Sequence, residues 1–404
     1  MLVLIRETKP HTDLAGRSIF ADLPFKVVLL ANKEVARLNA DCGPNVEIDI
    51  VRWSDEASVF AAARRRHETD GVFAIATNDE MIMDLAAELR ADLGVQGFFP
   101  ADARKFRNKV EMKRRLGVAG LRVPHFCLCE EDEQVRALLA RHGKLVVKPI
   151  SGQGSRQVEF IDSEAAWDAW LAENRHELHG FEAEEFIDGT LYHVNAVVAD
   201  GRPLLTASAP YLPGMGNIDF ASGSPFVSLL LRDGELAHRL ERFSDAVIAE
   251  LGLHHGVTHL ECFVTSAGEI VFCEIAARPG GGGIVLMIEA QYGINYAQAN
   301  LLLEAGRADL VRRPQPSAQL AGLMGMRLPQ AGFVARMPQA REFAEDWIHL
   351  FRPEASEGDF RCAAAHCTDY VALLVFSSAG EEEFHTRRAG LYSRFYSGFE
   401  LNPV

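Results

Sequence analysis

The stretch Glu261–Gly283, ECFVTSAGEIVFCEIAARPGGGG, decides how this chain is read. Val257–Val264 and Glu269–Ala277 are rich in β-branched, apolar and aromatic residues with turn residues between them, which predicts a β-hairpin. A two-residue turn at Ala267-Gly268 pairs Ser266 with Glu269. That register sets Glu261 directly opposite Glu274. Strand side chains alternate with period two, so Glu274, Ala276 and Arg278 share one face. Two facing carboxylates are costly unless a cation lies between them. Hard oxygen donors suit Mg²⁺, which completes its shell with water and phosphates. Arg278 lies further along, where it meets an anion. A strand glutamate is more often simply solvated, and the hairpin alone does not decide between the two readings. Its tail does. Arg-Pro-Gly-Gly-Gly-Gly can neither extend a strand nor start an ordinary helix, and such a run lets the backbone approach a ligand closely. The stretch reads as a metal–phosphate site.

Composition bounds the rest. The chain has 404 residues, enough for two or three domains, with 48% hydrophobic and 24% charged residues. No apolar run reaches the roughly 18–20 residues that span a bilayer, so no membrane partner is expected. The start, MLVLIRETKP, lacks the basic segment and long apolar core of a signal peptide. Seven cysteines at scattered spacings fit a reducing cytoplasm. Cys127-x-Cys129 lacks zinc-site spacing. Cys262 and Cys273 are expected to face each other on the side of the hairpin away from the glutamates. The net charge of -15 argues against nucleic acid, so any phosphate site rests on a few local Lys and Arg residues.

Four segments follow from the pattern. Residues 1–100 alternate strands (Met1–Ile5, Lys26–Leu30, Val46–Val51, Gly71–Ala76) with helices (Glu34–Asn39, Glu56–His67, Glu80–Leu93). This is a Rossmann-like α/β unit without the G-x-G-x-x-G fingerprint. Residues 101–180 read as a basic helix, Asp102–Gly117, then a small α+β subdomain. That subdomain has helix Glu131–His142, strand Lys144–Pro149, loop Ile150–Arg156, strand Gln157–Ile161 and helix Ser163–Asn174. Residues 181–319 begin with strands Phe181–Ile187 and Tyr192–Val198 around Asp188-Gly189, with Arg202–Ala209 extending that sheet. A loop over 210–225 is long enough to be functional. Helix Glu235–Leu251, the hairpin, and helices Ile284–Tyr292 and Tyr296–Glu304 complete the unit. Residues 320–404 return to strands at Leu320–Met326, Ala364–His366 and Tyr370–Phe376.

Several further groups carry chemistry. The loop Ser151–Ser155, with Gly152 and Gly154, exposes backbone N–H groups that form a nest for phosphate oxygens, although a Gly-rich loop is usually only a turn. Lys148 strengthens it. A lysine between Val146, Val147 and Pro149 is costly to bury unless paired. Lys109 sits among Arg104, Lys105, Arg107, Lys113, Arg114 and Arg115, and spacing alone makes it part of a solvated basic face. Glu184, Glu185, Phe186 and Ile187 form an apolar edge whose main chain suits an adenine or, more simply, an ordinary edge strand. His254, His255 and His259 come together. His259 shares a face with Glu261, but a third zinc ligand at metal spacing is lacking, so the three read as satisfied or exposed histidines, with His259 at most an outer neighbour of the metal.

Taken in order, NKVEMKRRLGVAGLRVP, LVVKPISGQGSRQV, EEFIDGTLYHVN and HLECFVTSAGEIVFCEIAARPGGG resemble the ATP-grasp superfamily of carboxylate–amine ligases over residues 100–300. The E-I-A-A-R-P-G-G-G string looks most like the branch of L-amino acid ligases and related amide-forming enzymes. The resemblance implies a pre-ATP-grasp domain, a lid subdomain, a catalytic subdomain and an antiparallel C-terminal domain, and by analogy a homodimer. It implies ATP and Mg²⁺, with Mn²⁺ as a substitute. It makes Lys109 and Lys148 the nucleotide lysines, which displaces the solvated-face reading of Lys109. Ser151–Ser155 becomes the lid loop, and Glu184–Ile187 the adenine hinge through the backbones of Glu185 and Ile187. Glu261 and Glu274 become metal ligands. Arg278 becomes the arginine that holds an acyl phosphate, beside Gly280, Gly281 and Gly282 at the acceptor site.

Two positions depart from the pattern. Ala276 stands where the family has an asparagine ligand to the metal. Leu191 stands where many members carry an acidic residue for the ribose, leaving Tyr192 or His193 to replace it. The implied reaction is ATP-dependent activation of a small carboxylate or amino acid, then transfer to an amine. A thiol acceptor, or a nucleotide-binding module without turnover, are the alternatives.

Overall fold

The computed structural model describes residues 1–6, 11–152, 157–212, 214–215 and 223–404. Five sheets account for its strands. The first is wholly parallel, in the order Val46–Ile50, Val27–Ala31, Leu2–Leu4, Ile75–Thr77. Its central strands are apolar throughout because the sheet is covered on both faces, as parallel sheets are. Thr77, Asn78, Asp79 and Glu80 leave the carboxyl end of its last strand and are all buried. In open α/β sheets this end is where ligands bind.

The second sheet runs Phe126–Leu128, Phe181–Glu185, Leu145–Pro149, Glu159–Ile161, and packs its core against helices Asp132–His142 and Glu164–Glu173. Phe181–Glu185 therefore does not share a sheet with the strand that follows it. Its five residues are all buried between two neighbours, whereas a hairpin around Asp188-Gly189 would leave it at an edge.

The third sheet is antiparallel, in the order Arg202–Pro210, Gly189–Ala199, Gly256–Thr265, Ile270–Ala276. One face is apolar along its length. Val194, Ala196, Val198, Leu260, Cys262, Phe272 and Ile275 pack with helix Glu235–Leu251. The other face packs Val197 and Val257 against helices Ile284–Tyr292 and Tyr296–Glu304 at one end. At its other end it carries polar rows.

The C-terminal part pairs Phe226–Leu229, Leu320–Met326, Ala372–Ser378 and Ile348–Pro353, with a small sheet of Phe360–Arg361, Gly332–Arg336 and Glu400–Pro403 and a helix Glu381–Gly398. Ala364–His366, expected as a strand, is irregular; Ala364 N–H bonds the Leu328 carbonyl and the segment joins no ladder. Phe226–Leu229 lies just after the expected loop 210–225 and pairs with Leu320–Met326, which stitches the preceding unit to this C-terminal part.

Helix Ile284–Tyr292 also meets the N-terminal unit, where Glu289 Oε2 accepts the Leu14 N–H at 3.3 Å. Burial pushes the Glu289 carboxyl up to about 7, with Asp13 adding to the shift and Leu14 N–H, Arg17 and Arg312 opposing it. A carboxyl whose pKa is raised on folding holds its proton more tightly in the native state. Its contribution to stability is full below the unfolded value and is lost as pH rises through the folded one. Glu289→Gln mimics the protonated form and keeps an acceptor for Leu14. It should raise stability by about 1 kcal/mol at pH 8, after allowance for solvent screening, and leave it unchanged at pH 4. Urea midpoints at both pH values test this, and an equal gain at both would refute it.

Candidate active site

The polar end of the third sheet is organised as two adjacent rows across three strands. One row is Asn195, His259, Ala276; the other is His193, Glu261, Glu274. The glutamates are thus paired as the sequence reading expects, but by a different route. The turn has three residues, because Thr265 N–H bonds the Glu269 carbonyl and Gly268 takes a positive φ of 78°. That shifts the pairing by one residue, so Cys262 meets Phe272. A β-bulge at Cys273 restores the register before Glu274. Phe272 and Ile275 both lie on the apolar face, so Cys273 is turned toward the glutamates rather than away from them. Burial raises its thiol, with Glu274, Glu184 and Glu261 adding to the effect and Lys148 opposing it.

Behind Glu261 lies a buried network. Its Oε1 accepts the Tyr211 hydroxyl at 2.6 Å and faces His259 Nε2 at 3.6 Å. His259 Nδ1 is 2.9 Å from Asn195 Oδ1. His193 is fully buried, with Nε2 at 2.8 Å from Ser228 Oγ and Nδ1 at 2.9 Å from Asn195 Nδ2. Both ring nitrogens of His193 are therefore engaged beneath the glutamates, away from the hinge where a ribose contact was expected.

The lysines converge from two elements. The expected basic helix is broken into Pro100–Arg104 and Lys109–Val118, because Asn108 caps the second piece by accepting the Glu111 N–H at 2.9 Å. Lys109 thereby begins a helix, with its own N–H bonded to the Ile150 carbonyl, and points inward. Its Nζ lies 2.9 Å from Glu274 Oε2 and 3.1 Å from the Gly152 carbonyl. Burial alone pushes the Glu274 carboxyl up, yet Lys109 and Lys148 outweigh it and hold it at about 2. Lys148 is buried too and pairs with Glu184 Oε1 at 2.5 Å. Burial lowers its ammonium, but Cys273, Glu184, Glu182 and Glu274 together raise it well above the ordinary lysine value.

Lys113, one helical turn after Lys109, is the lysine that sequence reasoning missed. It is fully buried and bonds Glu184 Oε2, with Glu182 Oε1 at 2.7 Å in an ion pair lacking hydrogen-bond alignment. The i, i+4 spacing from Lys109 was the available signal.

At the hinge, the Glu185 N–H is committed to the His125 carbonyl and the Phe186 N–H to the Lys144 carbonyl. The Ile187 N–H has no hydrogen-bond partner among the described residues. The Glu185 side chain is held by Arg122, His125 and His142; His125, His142 and Glu185 are the one group of three His, Cys, Asp or Glu side chains among the described residues whose ligand atoms lie within 4.8 Å of one another. Of the lid loop, Ser151 is exposed and Gly152 partly buried; Gly154 and Ser155 lie outside the described residues.

Arg278 bonds Glu80 Oε2 through Nε at 3.0 Å and Nη2 at 2.7 Å. Arg107 bonds the other oxygen, Oε1, at 2.9 Å. Glu80 was also missed, and its signal was the polar run Thr77–Glu80 at a strand's carboxyl end. Among the glycines, a Cβ on Gly280 would meet His259 Nδ1 at 2.9 Å, and one on Gly282 would meet the Tyr370 hydroxyl at 2.8 Å. Gly281 has nothing within 4 Å of that position. Gly280 and Gly282 are thus spent on packing against the polar row and Tyr370, and Gly281 is the open one.

Residues 142–286 match the family model described as an ATP-grasp domain. This stretch is an ATP-grasp domain. It spans the hinge strand, the polar rows and the glycine run. The L-arginine-specific L-amino acid ligase of Bacillus subtilis is 30% identical over 230 residues, 54% of this chain and 54% of that protein. The N5-carboxyaminoimidazole ribonucleotide synthase of Mycobacterium bovis is 26% identical over 273 residues, 61% of this chain and 57% of that protein. The matches thus span little more than half the length of these curated relatives. In fold, the chain superposes on the L-amino acid ligase of Bacillus licheniformis with a TM-score of 0.77 and 19% identity, covering 99% of this chain and 98% of that one. The likeness in fold therefore extends beyond residues 142–286 to the flanking units. No described helix is long and apolar enough to cross a membrane.

Proposed function

We propose that the chain activates the carboxylate of a small acid or amino acid as an acyl phosphate, at the expense of ATP, and joins it to an amine. ADP and phosphate are the other products. The observation that carries this is the convergence of Lys109, Lys148, Glu274 and Arg278 on the polar face beside Glu261. In-line phosphoryl transfer asks for positioning and charge neutralisation rather than a protein nucleophile, and these residues supply both. The relative named for L-amino acid ligase activity supports an amino acid as the carboxylate.

Lys148 and Lys109 would hold the phosphates, with Ser151, Gly152, Gly154 and Ser155 over them. The Glu185 carbonyl and the Ile187 N–H would read the adenine, with the Phe186 ring at the hinge. Glu261 and Glu274 fit a divalent cation. They are two oxygen donors from paired positions, and Glu274 is kept ionised by its neighbours. Mg²⁺ bound there would neutralise phosphate oxygens. Arg278 would leave Glu80 for the reacting carboxylate, because a charge-assisted bond to either anion has the same geometry. Gly281 would leave its backbone open to the acceptor.

ATP-dependent phosphate release, screened with pooled amino acids and small carboxylic acids, tests the reading. Release that requires both a carboxylate and an amine is expected; nucleotide binding with no such release across the panel would refute it. Arg278→Ala should bind ATP within about threefold of the parent yet lose at least about 100-fold in product formation, since its contact forms on the reacting group. Equal losses in both would place Arg278 with the nucleotide instead.

A further inference from the structure

We propose that His125, His142 and Glu185 form a site for a transition-metal ion of the Zn²⁺ class, apart from the carboxylate pair Glu261 and Glu274. It does not depend on the reaction proposed above, which uses the Glu185 backbone and not its side chain. Glu184 faces Lys113 and Lys148. Glu185 follows it in the same strand, so its side chain lies on the opposite face. Three segments meet there. His125 directly precedes strand Phe126–Leu128, whose pairing of Phe126 with Glu184 sets it beside Glu185. His142 is the last residue of helix Asp132–His142, which stops because Gly143 takes a left-handed φ of 73°. Three residues later Leu145 pairs with Glu185, which returns the helix end to the same place.

The donor atoms are close to metal spacing. His125 Nδ1 and His142 Nδ1 each lie 3.0 Å from Glu185 Oε2, and all three atoms are within 4.8 Å of one another. Tetrahedral zinc ligands are about 3.3 Å apart, so the group needs only to open slightly around an ion. The other carboxylate oxygen, Oε1, accepts from Arg122 Nη2 and from the His125 N–H at 3.1 Å. The carboxylate is thus oriented by outer partners, with Oε2 turned to the imidazoles. Arg122 is also shared with Glu269, whose Oε1 is 3.6 Å from its Nε, so two carboxylates surround this one guanidinium. His142 stands in the last turn of its helix, where the helix dipole favours a cation. Two imidazoles and one carboxylate suit Zn²⁺ and leave a fourth position for water, whereas Mg²⁺ prefers oxygen throughout. The half-exposed His125 gives the ion a way in from solvent.

Co²⁺ is the probe, because a four-coordinate site gives it a strong visible absorption and a six-coordinate oxygen shell a weak one. Titration of the full chain without nucleotide should produce the strong band, and Zn²⁺ should abolish it. Glu274→Gln should keep the band. His125→Ala and His142→Ala should each weaken Co²⁺ binding by about 100-fold or more. His125 is half-exposed, so His125→Ala is expected to fold. The weak band alone, or a strong band that survives His125→Ala, would overturn the proposal. A band lost in Glu274→Gln would assign the ion to the carboxylate pair and overturn it too. In a second measurement, Zn²⁺ should raise the urea midpoint of Glu274→Gln, since an ion bound only by the folded chain stabilises it. Adding His125→Ala should remove that rise. An equal rise in both proteins would show that the ion is held elsewhere.

Discussion

Glu274→Gln is expected to lower ATP turnover by about 10³-fold or more, equivalent to about 4 kcal/mol of transition-state stabilisation, while leaving the fold intact. The substitution keeps volume and shape and removes one charge. That charge is the hub of the site: Lys109 bonds it directly, and Lys148 and Arg278 act on it through space. Its neighbours hold the carboxyl at about 2, so it is ionised at any working pH and protonation does not conceal the effect. Gln offers one weaker oxygen donor and leaves Lys109 without its counter-charge. Phosphate release and the Mg²⁺ dependence of nucleotide binding should fall together. Activity within tenfold of the parent would remove Glu274 from the metal and phosphate site.

The second large effect concerns stability. Lys113, Glu182, Glu184 and Lys148 form a buried group of two cations and two anions, none more than slightly exposed. Such a group contributes little net stability while balanced, but removing one member leaves an uncompensated buried charge. Lys113→Met should therefore destabilise the chain by about 3–5 kcal/mol. Lys113→Met with Glu182→Leu removes one charge of each sign and should be less destabilising than the single change. Urea unfolding of the three proteins separates these outcomes. A double variant at least as unstable as the single one would show that packing, not charge balance, governs the group. The same cluster sets Lys148, since Glu184 shares its two oxygens between Lys113 and Lys148, so Lys148 is positioned from beneath by the helix that begins at Lys109.

Much of the site was legible because its parts are short and locally encoded. The lysine between apolar residues in Leu145–Pro149, the paired glutamates of the hairpin and the glycine run are each a chemistry confined to a few residues. The hairpin also shows the limit of that logic. The register at Glu261 and Glu274 was inferred from a two-residue turn, whereas the chain uses a three-residue turn and a bulge whose shifts cancel. Periodicity cannot see such a cancellation, because it counts side chains and not ladder bonds. The cost of missing the bulge was Cys273, read on the wrong face.

Other residues had no local signature at all. By spacing alone Lys109 looked like one of many surface cations; only the resemblance singled it out, and the Asn108 cap that starts its helix is what turns it inward. Glu80 lies almost 200 positions before Arg278 in sequence and meets it only because the first sheet delivers its last strand beside the third sheet. Phe181–Glu185 reads as half of a hairpin with its neighbour, but pairing on both edges assigns it to the second sheet. Strand pairing is a long-range choice, and no local propensity states it.

The sequence by itself determined the groups available: two lysines, paired carboxylates, an arginine and a glycine run, in an order that resembles the ATP-grasp fold. Only the tertiary structure decided which groups meet. It set His259 on Asn195, Glu80 on Arg278 and Glu184 between Lys113 and Lys148. Each of these contacts joins separate elements of the chain, and their geometry is set by strand order and the burial of charges that must find partners.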